Sequence, residues 1–101
     1  MEARFAEVIG RQLDLFEQQD AEFLRRLDDA ERAYDQADRE DAEEVFGRYQ
    51  ELVEHGTEAL AEMRDAYAST LDQDDAAAYI AEFNETVIDR MPRFGLEIED
   101  V

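Results

Sequence analysis

The chain has one histidine, His55, and it stands among carboxylates. Glu51, Glu58 and Glu62 fall within one or two helical turns of it, a spacing at which imidazole nitrogen and carboxylate oxygens can converge on a divalent cation. A second set forms if the two long apolar stripes of the sequence pair as an antiparallel hairpin. Glu17 then faces Glu62, with Asp20 and Glu58 a turn away, an oxygen-rich group of the kind that holds Mg²⁺ in a hydrolase. Glu17, Asp20, His55, Glu58 and Glu62 are therefore the candidate metal ligands. Against them stands composition: 29 of the 101 residues are Asp or Glu, so carboxylates meet by chance on almost any helical face. Position 52 is Leu, so His55 lacks the Glu three residues earlier that di-iron bundles use. No cofactor is expected on this reading.

Other chemistries find no residues to carry them. Cysteine is absent, which removes thiol catalysis, disulfides and cysteine-based zinc sites. There is no glycine-rich phosphate loop. Ser69, the sole serine, lies fourteen positions from His55 on the same predicted helix, about 21 Å along the axis and out of reach for a dyad. The acidic pairs Glu40-x-x-Glu43 and Glu62-x-x-Asp65 have the spacing of metal-binding helix motifs. Both fall on one predicted helix, about 28 Å apart, and cannot share an ion within one chain.

The charge balance is the strongest signal. Ten arginines and no lysine oppose the 29 carboxylates, for a formal net charge of -19. Such a chain is repelled by DNA, RNA and anionic lipid. Arginine as the only long cation, with abundant alanine, fits a GC-rich coding sequence or adaptation to high salt. No apolar run reaches the length of a membrane span, and the N-terminus lacks the basic and apolar regions of a signal peptide. A cytoplasmic location without membrane contact is expected.

The elements that must position these residues are helices almost throughout, so the fold class is all-α. Ala6, Ile9, Leu13, Phe16, Asp20, Phe23, Leu27, Ala30, Tyr34 and Ala37 alternate steps of three and four. They predict a helix over 2–37 with one polar residue, Asp20, in its seam. The phase breaks at 37–42, where Asp41 and Glu44 resemble a capping box with Asp in place of the usual Ser or Thr. A second seam, Ala42, Phe46, Tyr49, Val53, Gly56, Leu60, Met63, Tyr67 and Thr70, predicts a helix over 42–71. Asp72 to Asp75 form the next turn. A third helix carries Ala76, Ile80, Phe83, Val87 and Met91 on one face and stops at Pro92. The expected architecture is a long antiparallel hairpin plus a shorter third helix, a coiled-coil-like three-helix bundle over 1–92. Residues 93–101 form an extended tail, because Phe94, Leu96 and Ile98 alternate with polar residues or glycine.

The short turn between the first two helices pairs residue i with roughly 79 minus i. Phe23 meets Gly56, Leu27 meets Val53, Ala30 meets Tyr49 and Phe16 meets Met63. The third helix is about half as long as the first, so the hairpin end around 25–52 lacks a third partner. Leu24, Tyr34, Val45, Phe46 and Leu52 lie at that end, and Phe94, Leu96 and Ile98 lie in the tail that either covers it or crosses to another molecule. An uncovered apolar seam is unusual in a monomer. The expected function is therefore association without catalysis, through a homodimer or a helical protein partner. The alternatives are a metal-dependent hydrolase using the acidic cluster, or an acidic mimic of nucleic acid that binds a basic protein.

Overall fold

The computed structural model describes residues 4–101. It holds five helices and no strand among the described residues: α1 (Ala6–Gln19), α2 (Ala21–Gln36), α3 (Ala42–Ala68), α4 (Gln73–Arg90) and α5 (Pro92–Gly95), followed by a 3-10 turn at Ile98–Asp100. The protein is all-α and elongated, 50 × 25 × 25 Å. Among the described residues no helix is long and apolar enough to cross a membrane.

The long first helix divides at Asp20. This residue has φ -107° and ψ 24°, outside helical geometry. Yet its N–H still donates to the Phe16 carbonyl at 2.9 Å, and its carbonyl accepts from Leu24 N–H at 2.9 Å. Hydrogen bonding thus runs through the joint while the direction of the chain changes. A poor helix former at a seam position explains the break: the joint leaves the Asp20 residue half-buried instead of sealed in the core. The start expected at residue 2 lies outside the described residues.

The α2–α3 turn is capped differently from its sequence spelling. Asp41 makes no side-chain cap. Asp38 acts instead, accepting the Asp41 N–H on its carboxylate at 3.1 Å. At α4 the Asp72 carboxylate accepts from Asp75 N–H at 2.8 Å, an ordinary N-cap.

Antiparallel pairing of α2 and α3 follows from their side-chain contacts. Phe23 packs on His55, with ring centroids 5.3 Å apart, and Tyr34 packs on Phe46 at 5.1 Å. Phe23 also lies beside Gly56, its expected opposite. Helix α4 returns along α3, bringing Tyr79 to Tyr67 at 4.8 Å and Asn84 to Arg64. It meets α1 through the Tyr79 hydroxyl, which donates to Gln12 at 2.7 Å, and through Arg90, which pairs with Asp14 and Glu17.

The tail is not extended. Pro92 occupies the first turn of α5, where its missing N–H costs nothing. A helical path puts Phe94 and Ile98, four residues apart, on one side and sends Leu96 to the other. Phe94 and Ile98 are accordingly buried, at 1% and 0% exposure, whereas Leu96 is 88% exposed. Phe94 meets Phe16 edge-on at 6.1 Å and presses against Gly56. Ile9, Leu13, Leu27, Leu60, Phe83 and Val87 complete most of the core around them.

Candidate interaction surface

The five candidate metal ligands are not brought together among the described residues. Among the described residues no three of His, Asp and Glu gather closely enough to hold a metal ion. Glu17 pairs with Arg90 on α4. Glu58 and Glu62 lie on the exposed side of α3, and the Asp20 side chain caps nothing. His55 is exposed, with its ring against Phe23. The acidic cluster required by the hydrolase alternative is absent from the described residues, because Glu17 turns to α4 while Glu58 and Glu62 face outward.

Arg64 and Tyr79 lie on the buried faces of α3 and α4. Arg64 is 4% exposed. One guanidinium nitrogen donates to the Asn84 side-chain oxygen at 3.0 Å and to the Ile98 carbonyl at 2.9 Å; others reach the Val101 carbonyl and Asp65. This buried latch holds the C-terminal residues against α3 and α4. It had a legible signal: Thr57, Leu60, Ala61, Arg64 and Ala68 recur at helical spacing, so Arg64 stands on a buried stripe. The Tyr79 ring is fully buried, and burial pushes its hydroxyl up to about 12.

The expected interface residues divide into two groups. Leu24 is half-buried and lines a groove of about 510 Å³ between α2 and α5. There Arg93 binds Asp28 and Glu31 at 2.9 and 2.8 Å, closing this part of the hairpin with the chain's own tail. Partial desolvation of the half-buried side chain, and then the nearby Glu31 carboxylate, raise the Tyr49 hydroxyl above its ordinary value. Phe94 and Ile98, expected at an interface, belong to the core instead.

The outer part of the hairpin stays open. Tyr34 and Phe46 are 39% and 42% exposed, and Val45 and Leu52 are half-buried. Among the described residues, none from 28 to 55 is buried. A groove of about 190 Å³ runs beside Phe46, Tyr49, Gln50 and Val53, with Leu96, Arg93 and Glu97 forming its other wall.

Residues 28–55 carry eleven carboxylates and three arginines. Arg32 is paired with Asp29 and Arg48 with Glu44, which leaves Arg39 as the cation of this stretch without an ion pair among the described residues. The open end is thus apolar along its centre and acidic at its margins. No protein-family model matches the chain, and neither does any curated protein or solved structure.

Proposed function

We propose that this protein is a non-enzymatic association module, acting in the cytoplasm, whose working surface is the open end of the α2–α3 hairpin. On this reading the molecule is a three-helix bundle at one end, with α1 and α2 treated as one bent rod. It thins to a coiled-coil-like pair at the other end, where further helices complete the bundle. The observation that carries the reading is that no residue from 28 to 55 is buried among those described, although Tyr34, Val45, Phe46, Leu52 and Val53 all lie there.

The magnitudes favour a surface that works as a unit. An aromatic side chain that is two-fifths exposed has roughly 80 Å² left to bury, contributing about 2 kcal/mol. Association costs on the order of 4–15 kcal/mol in lost freedom, so Tyr34, Phe46 and Leu96 must be covered together. A second copy of this chain can do so around a two-fold axis, joining two hairpins in a four-helix core.

Sedimentation velocity of the full chain in molar KCl tests this. A dimer is expected once carboxylate repulsion is screened, and Phe46→Asp is expected to return it to monomer with its helical circular dichroism retained. A dimer insensitive to Phe46→Asp would place the contact elsewhere, and a monomer at every salt concentration would remove the homodimer.

A further inference from the structure

The stripe of α3 that α4 covers does not end where α4 ends. Thr57, Leu60, Ala61, Arg64 and Ala68 are its buried residues. The same helical phase runs outward through Val53, Gln50 and Phe46 in steps of four, three and four. Beyond the α4 C-terminus at Arg90, the chain turns at Pro92 and sends α5 across α3. The outer continuation of the α3–α4 interface is left as the groove between Phe46, Val53 and Leu96. Phe46 and Val53 are two turns apart, about 10 Å, a length that one amphipathic helix spans with anchors at i, i+3 or i+4, and i+7.

Charge selects among helices. By helical spacing Glu43 and Glu54 fall in one row of α3 with the groove residue Gln50, and Glu97 stands on the opposite wall. Arg93, the cation in the groove, is already held by Asp28 and Glu31. A second copy would set one acidic rim against another, and at low salt that contact is opposed. A helix with Lys and Arg beside its apolar stripe would meet carboxylates on both walls.

Resting on the reading that the hairpin end is the association surface, we infer that its preferred occupant is a basic-rimmed amphipathic helix of another protein, lying on α3 in line with α4. The self-dimer is the weaker state and needs salt.

The test uses the full chain and three synthetic helical peptides of about sixteen residues, roughly four turns. One has a Leu/Phe stripe rimmed by Lys and Arg. The second keeps the stripe with a Glu rim. The third keeps the Lys and Arg but has Ala in place of the stripe. Titration calorimetry in dilute buffer is expected to give one-to-one binding of the first peptide, at least about tenfold tighter than either control, and weakening about tenfold or more in roughly 0.5 M KCl. Phe46→Asp adds a negative charge, so pure charge attraction would be kept or strengthened; loss of about tenfold or more identifies the apolar stripe. Leu96→Ser, outside the hairpin and already exposed, gives the same answer without burdening the helices. Equal binding of the third peptide, or binding untouched by both substitutions, would overturn the surface itself and with it the proposed function. Equal binding of the Glu-rimmed peptide would overturn the basic partner while leaving the surface standing.

Discussion

Gly56 lacks a side chain where Phe94 needs the space. A β-carbon there would sit 2.4 and 2.8 Å from two carbons of the Phe94 ring and 3.1 Å from Phe23. That ring is buried edge-on against Phe16 and cannot withdraw freely. Gly56→Ala should therefore destabilise the protein by about 1–3 kcal/mol, in spite of the roughly 1 kcal/mol that Ala contributes to a helix over Gly. Gly47, on the same helix, meets nothing within 4 Å, so Gly47→Ala should stabilise by about 0.5–1 kcal/mol. Urea unfolding of the pair checks the contrast, and equal shifts would show that Phe94 gives way without cost. Tyr79 sets a pH limit. Its hydroxyl ionises at 10.0 when unperturbed and at about 12 in the fold, through burial. Between those values the unfolded chain has released a proton that the folded chain still holds, so stability falls as pH rises. Thermal midpoints should be steady between about pH 8 and 10 and decline above it. Tyr79→Phe should flatten that decline; an identical slope in the variant would assign it to other groups. None of this was fully legible from residue types. A seam Gly opposite a Phe pointed to close packing, but the ring that fills the gap comes from Phe94, 38 positions along the chain.

At the scale of elements, the hairpin was legible because its signal is local and repeated. A three-four spacing on both helices and a short polar turn bring Phe23 beside Gly56 and Tyr34 beside Phe46. Two elements were misread for physical reasons. One polar residue in a long seam is compatible with a straight buried helix or with a joint, and Asp20 resolves as a joint that returns it toward water. In the tail, Phe94, Leu96 and Ile98 fit a strand by alternation, while Phe94 and Ile98 alone fit one helical turn. The choice was made by the core, which had room for two of the three. Arg64 secures the result by tying the Ile98 and Val101 carbonyls to α3. Met has a stem of similar reach but no donors. Arg64→Met should cost about 2–4 kcal/mol through unsatisfied buried acceptors and free residues 92–101 for limited proteolysis. Unchanged protease resistance of that segment would show that Phe94 and Ile98 hold it unaided.

Across the whole molecule, charge is the dominant unspent energy. Among the described residues, seven of the ten arginines lie within ion-pair distance of a carboxylate, but most such pairs are exposed and contribute little. The net charge of -19 remains spread over a rod 50 Å long. The melting temperature should rise substantially from dilute buffer to molar KCl as the Debye length contracts from about 10 Å at 0.1 M to about 3 Å. Monitoring by circular dichroism checks this, and a flat response would mean that repulsion is already relieved by the elongated shape. The candidate surface was legible at this scale and not at a finer one. Unequal helix lengths leave one end of the hairpin without a third helix along it. Which of its residues stay open depended on where the tail turns, and that follows from Pro92 and Arg64 acting together.

The absence of a buried residue between 28 and 55 predicts that the molecule unfolds as two units. The base is expected to melt with its core, whereas the outer hairpin, held by half-exposed contacts, should open at a lower free energy. The chain has no tryptophan and four tyrosines, and these are divided between the units: Tyr34 and Tyr49 report on the hairpin, Tyr67 and Tyr79 on the base. Its tyrosine emission is therefore expected to trace two transitions on unfolding, and a single transition shared by all four tyrosines would show that the hairpin and the base melt together.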